Sequence, residues 1–229
     1  MKLICISTGS TDGNSYLLQS KTGKMILLDF GVPYKSIVKA SDYKPNDIMF
    51  GLWTHQHKDH FNQKTLKELK KHSIYVFNKP LDNRKYQIKD VAFTAFPVPH
   101  TNSDGTECPC RAFIVEMNGQ KLLYMTDWMY CKYDLSKFNI NHFLIAVNYT
   151  DLDVEDKSGK ISHVVRGHSS LETVKEFLKT SMTDACKTVI ACHLSSRNAD
   201  ESKIVRELTE LVPETVNVVI AKKGMTLTL

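Results

Sequence analysis

Trp53-Thr54-His55-Gln56-His57-Lys58-Asp59-His60 places four metal-capable side chains within six residues. An apolar run, Ile48-Met49-Phe50-Gly51-Leu52-Trp53, leads into it and reads as a buried strand. A polar, lysine-rich helical pattern over residues 62–72 leads out of it. The histidines therefore fall on a strand-to-helix loop, where α/β proteins place their chemistry. Neutral imidazoles and carboxylates are ligands for zinc and similar divalent ions. His55 and His57 are two apart, so in an extended segment both rings point the same way. A chain that turns after Lys58 brings Asp59 and His60 to face a second ion. The competing reading is a chance cluster on a solvated loop. With nine His in 229 residues, three within six positions beside an aspartate disfavour it.

Working outward, strands and helices alternate along the whole chain. Residues 3–7 and 15–19 read as strands, joined by a loop whose Gly9, Gly13 and Asn14 permit a tight turn. Residues 25–31 form a strand ending in Asp29-Phe30-Gly31, and a carboxylate at a buried strand end must be hydrogen-bonded or close to positive charge. A short helix over 33–41 precedes the central stretch, and a strand over 74–77 follows it. Residues 78–87 read as loop and 91–98 as a strand, with His100 just beyond. Residues 111–117 and 122–125 form a hairpin about Asn118-Gly119, and the second strand runs into Asp127. A strand over 143–147 precedes a polar stretch, 148–160, whose Asp151, Asp153, Glu155 and Asp156 read as a solvated face. His168 stands before a helix marked by Leu171, Val174, Phe177 and Leu178, which Ser169 or Ser170 caps. An anion is favoured at such a helix start, so His168 reads as a substrate contact or leaving-group proton donor, with a structural histidine as the alternative. His193 ends a buried strand over 188–192. A helix over 202–212 follows, and 216–221 with 225–229 close as a hairpin at Lys223-Gly224.

Composition sets the bounds. A chain of 229 residues with 42% hydrophobic content suits one domain, residues 1–229, with a sizeable core. No run approaches the length of a membrane span, so no membrane partner is expected. Met1-Lys2 leads straight into the first short strand, too short for a signal peptide, and the expected location is cytoplasmic. Six scattered cysteines without a CxxC imply reduced thiols. Cys108-Pro109-Cys110 reads as a loop with two free thiols, with an auxiliary metal or redox site as the alternative. A net charge of +5 favours an anionic partner but falls short of the basic stripe of a dedicated DNA binder. The composition is compatible with a homo-oligomer as well as with a monomer.

The central stretch resembles the HxHxDH motif of the metallo-β-lactamase superfamily. The loop S-T-G-S-T-D-G-N-S-Y-L-L at the start, Gly-His at 167–168 and His-Leu-Ser-x-x-Asn from His193 to Asn198 are similar to its YycJ/WalJ-like branch. The resemblance covers nearly the whole chain and implies a four-layer αββα sandwich. It implies a first metal held by His55, His57 and His100, and a second held by Asp59, His60, Asp127 and His193, with Asp127 bridging. By the same likeness Asp29, Asn14 and Asn198 stand behind the ligands and orient them, while Asp59 and His168 carry catalytic roles. Two divalent cations, zinc first and manganese as the alternative, would then share a hydroxide between them as nucleophile. Because Asp59 is followed by His60, the likeness favours phosphodiesterase branches over lactam hydrolysis. The implied activity is a DNA exonuclease-like nuclease. A cyclic-nucleotide or other small-molecule phosphodiesterase comes second, an ester or thioester hydrolase third, and a nucleotide-binding protein without turnover is the non-enzymatic alternative.

Overall fold

The computed structural model describes residues 1–77, 82–150 and 167–229. The acidic run from Asp151 to Asp156 therefore lies outside the described residues. Two sheets form the body. The first has β1 (Lys2–Ser7), β2 (Ser15–Gln19), β3 (Met25–Leu28), β4 (Ile48–Leu52), β5 (Tyr75–Phe77) and β13 (Thr226–Thr228), ordered β13-β1-β2-β3-β4-β5. The second has β6 (Lys85–Ile88), β7 (Val91–Val98), β8 (Cys110–Met117), β9 (Gln120–Met125), β10 (His142–Ala146), β11 (Thr188–Cys192) and β12 (Asn217–Ile220), ordered β12-β11-β10-β9-β8-β7-β6. Both are mixed: β3, β4 and β5 run parallel, as do β9 to β12, while the remaining pairs are antiparallel.

Period-two alternation explains why the first-sheet strands read as continuous apolar runs. Leu18, Ile26, Leu28, Phe50 and Leu52 point into a large core shared with the second sheet. Their alternates Leu17, Met25 and Leu27 point the other way, into a smaller core, and Ile48 joins them because the β3–β4 register shifts between Met25 and Ile26. That smaller core is closed by α1 (Tyr34–Ala40) and α2 (Gln63–Lys71) through Ile37 and Leu69. On the second sheet, α3 (Leu171–Ser181) and α4 (Glu201–Leu211) bury Val174, Phe177, Leu178, Ile204 and Leu208. The order helix, sheet, sheet, helix is the layered αββα sandwich expected. Among the described residues no helix is long and apolar enough to cross a membrane.

Two expectations are corrected. Part of the stretch read as loop over 78–87 opens β6, whose residues alternate between exposed and half-buried and pair with β7 at the sheet edge. Its polarity reflects an edge exposed to water. The C-terminal strands also do not pair with each other. Gly224 makes the turn, with φ +80° and Met225 N–H bonded to Lys222 O at 2.9 Å. The turn carries the chain between the sheets: β12 pairs with β11, and β13 pairs with β1. The hairpin at Asn118-Gly119 is present, with both residues at positive φ, the requirement of a type I′ turn.

Candidate metal centre

The central loop leaves β4 extended through His55 and then turns. His60 N–H and Phe61 N–H both bond to His57 O, at 2.9 and 2.8 Å. Asn62 then caps α2, its Oδ1 accepting from Lys64 N and Thr65 N at 3.0 and 3.1 Å, an arrangement worth about 1 kcal/mol. The turn splits the ligand-type side chains into two groups. His55, His57 and His100 form one; Asp59, His60, Asp127 and His193 form the other, and within each group the ligand atoms lie within 4.8 Å of one another. These are the two sets expected from the sequence, gathered from the ends of β4, β7, β9 and β11.

Hydrogen-bond partners fix which ring nitrogens of the three-histidine group carry protons. His100 Nδ1 lies 2.5 Å from Gly167 O, which only accepts, so Nδ1 is protonated and Nε2 is bare. His57 Nε2 lies 3.0 Å from Asn102 Oδ1, so Nδ1 is bare. The two bare nitrogens face each other at 3.1 Å. His55 Nδ1 lies 3.1 Å from Thr54 Oγ1, and its Nε2 is buried without a hydrogen-bond partner. Three inward lone pairs repel unless a cation sits among them, so the donor set fits a divalent metal ion. Protonation is no substitute here. Burial and the neighbouring His60 hold the His55 pKa well below the ordinary range, and burial brings His100 down to about 4.

The second group is organised by carboxylates. Asp127 Oδ2 lies 2.7 Å from His60 Nε2, 3.4 Å from His193 Nε2 and 3.5 Å from His55 Nε2, so this one oxygen faces both groups. Asp59 Oδ2 lies 3.1 Å from His193 Nε2 and 3.3 Å from His60 Nε2. Burial alone would raise both carboxyl pKa values. The histidines outweigh it: His193 and His60 act on Asp127, hydrogen bonds from the same two rings act on Asp59, and both carboxyls sit well below the usual range. Burial alone would lower His60 and His193, but Asp127 and Asp59 together, joined at His60 by Asp29, outweigh it and raise both.

Behind the ligands stands Asp29, fully buried. Its Oδ1 accepts from Thr54 N at 2.8 Å; its Oδ2 accepts from Thr54 Oγ1 at 2.8 Å, His60 Nδ1 at 2.7 Å and Tyr124 OH at 2.7 Å. The carboxylate thus holds His60 directly and His55 through the Thr54 hydroxyl. Asn14 Nδ2 reaches Asp59 Oδ2 at 3.3 Å and His60 Nε2 at 3.0 Å, and Asn14 N–H bonds to Asp59 O at 2.6 Å. Gly31 fits where no side chain could: a Cβ there would lie 1.8 Å from Asp59 O. Asp29, Asp127 and His193 each follow a strand and hold positive φ, at 54°, 47° and 52°. Asp and His tolerate that left-handed geometry better than most residues, and it turns the chain sharply as it leaves the sheet.

His168, whose side chain is 21% exposed, places Nδ1 2.8 Å from Asp127 Oδ1, the oxygen turned away from His60. Of the two serines beside it, Ser170 caps α3 by accepting from Thr173 N at 3.0 Å. Asn198 stands apart from the ligands. Its backbone bonds to Ser195 Oγ and Thr150, and among the described residues no side-chain bond joins it to either group. The asparagine beside the ligands is Asn148, whose Nδ2 lies 2.9 Å from His193 Nδ1 and 3.2 Å from His193 O. The reason is topological. Asn148 follows β10, the strand lying between β9 and β11, so it emerges beside Asp127 and His193. All six cysteines are free; Cys110 is buried, its Sγ 3.7 Å from His55 Nδ1, and burial raises its pKa well above the ordinary range.

A domain profile described as "Beta-lactamase superfamily domain" matches residues 9–151, more than half of the chain. The chain belongs to the metallo-β-lactamase superfamily. Comparison with curated proteins gives no match. Among solved structures, the superfamily fold recurs in YhfI from Bacillus subtilis, a metallo-β-lactamase fold protein, with TM-score 0.69, 15% identity, and 99% of this chain and 98% of that one covered. It recurs in Zn(2+)-bound PqqB from Methylobacterium extorquens, with TM-score 0.68, 13% identity and full coverage of both chains. Human tRNase Z, short form, gives TM-score 0.61 and 16% identity over 100% of this chain and 99% of that one. Identities this low establish a common fold and no more. Members of the superfamily are metal-dependent hydrolases, and this chain brings together side chains that could hold such metals.

Proposed function

We propose that this protein is a binuclear metal-dependent phosphodiesterase, and specifically a nuclease of the DNA-exonuclease kind. The observation that carries the metal reading is the 3.1 Å approach of His57 Nδ1 and His100 Nε2, both stripped of protons by their outer partners. His55, His57 and His100 would hold one ion, and Asp59, His60, Asp127 and His193 the other. Zinc suits the imidazole-rich set, and manganese is the alternative. Divalent ions held there would supply a water acidified toward a pKa of about 7 and an electrophile for an ester oxygen.

The chain's own groups then have distinct tasks. Asp127 Oδ1 is held by His168, which leaves Oδ2 facing His60 and His55. Asp59, whose side chain is 20% exposed, lies at the open side of the group, where it orients the attacking water. His168 is placed to give a proton to the leaving oxygen. Phosphodiester substrates are supported by the net charge of +5, by exposed Lys58 within the ligand loop, and by a fold shared with a tRNase.

The test is a panel of 5′-phosphorylated DNA, RNA, cyclic nucleotides and a chromogenic phosphodiester, run with zinc and with manganese. DNA turnover that falls steeply with salt is expected. Cyclic-nucleotide turnover with DNA untouched moves the assignment to a small-molecule phosphodiesterase. His57→Ala is expected to abolish turnover and to bind less metal, whereas His168→Ala slows turnover with metal content intact. Full activity in His57→Ala refutes the site.

A further inference from the structure

We propose that Asn102 is a positioning residue for the three-histidine group, fixing His57 in the tautomer that presents Nδ1 to a cation. The inference rests on the metal reading above and assigns a task to a loop that supplies no ligand beyond His100. Its starting point is the orientation of one amide. Asn102 Nδ2 lies 2.9 Å from Thr106 Oγ1 and 3.3 Å from Glu107 O. The carbonyl can only accept. The Thr106 hydroxyl proton is committed to Asp104 Oδ1 at 2.6 Å, so this hydroxyl accepts as well. Both neighbours therefore require the NH2 of Asn102 on their side, which leaves Oδ1 facing His57 Nε2 at 3.0 Å.

An amide oxygen can only accept, so His57 Nε2 must be the protonated nitrogen. With the amide reversed, Nε2 would have to accept, and the proton would move to Nδ1, between His57 and His100. That proton would occupy the place of the cation. The other two rings are held differently: His100 by the Gly167 backbone carbonyl, His55 by Thr54, its neighbour in the chain. His57 alone relies on a side chain from a separate loop. The loop itself is closed by backbone bonds, Asn102 N to Thr106 O at 2.8 Å, Gly105 N to Asn102 O at 2.9 Å and Cys108 N to His100 O at 2.9 Å. Its shape therefore does not depend on the amide, and orienting a ligand can be separated from fastening a loop.

Three variants make the separation. Asn102→Leu removes the acceptor and the loop bonds together. Asn102→Asp keeps an acceptor for His57 but loses the bonds to Thr106 and Glu107. Thr106→Val removes the hydroxyl partner and leaves Asn102 in place. Zinc affinity is measured by competition with a chromogenic chelator, cobalt(II) absorption reports the ligand field, and a metal-free melt monitors folding. Asn102→Leu is expected to weaken one of two zinc ions by about 10–100-fold, the usual effect of losing a partner to a ligating histidine, and to alter the cobalt spectrum. Asn102→Asp and Thr106→Val are expected to keep wild-type affinity and spectrum. The proposal is overturned if Asn102→Leu binds both zinc ions as the wild type does, or if Thr106→Val or Asn102→Asp loses as much as Asn102→Leu. Wild-type protein that binds no zinc overturns the metal reading itself, a result seen before any variant is compared.

Discussion

Gly31→Ala adds one methyl group at the tightest backbone contact behind the ligand loop. The new Cβ would stand 1.8 Å from Asp59 O, 2.3 Å from Asp59 C and 2.9 Å from His60 N. Carbon–oxygen contacts settle no closer than about 3.3 Å, so one backbone must retreat by about 1.5 Å. No side chain can absorb the movement, because every atom met belongs to the main chain. On the other side, Gly31 N–H is tied to Asn14 O at 3.0 Å, and Asn14 N–H to Asp59 O at 2.6 Å, so the three segments shift together. The retreat carries Asp59 and His60 away from Asp127 Oδ2, now 2.7 Å from His60. Overpacking of this kind costs about 1–3 kcal/mol. At about 2–4 °C per kcal/mol for a chain of this size, the metal-free protein melts roughly 2–12 °C lower. A misplacement of about 1 Å in a reacting constellation costs on the order of 100-fold in rate, so turnover falls at least that far. Zinc bound by the Asp59 group weakens more than zinc bound by the three histidines. Melting, zinc stoichiometry and turnover are measured on one preparation. A variant that melts within 1 °C of wild type, with full zinc content and rate, refutes the reasoning.

Asp29→Asn places an amide NH2 against at least one of four donors; the lost charge-assisted bond costs about 1.5–3 kcal/mol. Loosened support for His60 lowers zinc affinity by about 10–100-fold, and unchanged melting and affinity would contradict this role. His142, buried on β10 with Nε2 on Gln120 Oε1 at 3.2 Å, has its pKa lowered to about 4 by burial, Lys187 and the amino terminus. The unfolded chain, titrating near 6.5, takes up the proton first, so this residue's contribution is present above about pH 6.5 and is lost as pH falls toward 4. His142→Gln should flatten that part of the stability profile in urea titrations, and identical profiles would count against it.

Seven ligand-type residues were legible because their signal is local: each lies on the central loop or directly after an apolar strand. His100, Asp127 and His193 needed the family resemblance as well, since strand-end position alone does not say which sheet edge a residue reaches. Asn198 follows from the His-Leu-Ser-x-x-Asn likeness alone, whereas only the strand order β9-β10-β11 shows that Asn148, two residues past β10, emerges beside His193. Asn102 carries no recognisable pattern, and its role emerges only when the partners of one amide are counted. Thr54 precedes His55 in the sequence, yet its bonds to Asp29 depend on β3 and β4 being adjacent and parallel. Tyr124 reads as an ordinary core aromatic, and its hydroxyl finds Asp29 only when the two sheets face each other. Lys223-Gly224 reads as a turn and forms one, but local chemistry does not report that β13 joins β1.

Anomalous diffraction from crystals of the zinc-loaded protein puts the central claim to the most direct test. Two peaks are predicted, one among His55, His57 and His100 and one among Asp59, His60 and His193, with an Asp127 oxygen between them. A map with no peak at either position, or with zinc bound only elsewhere on the chain, would contradict the account.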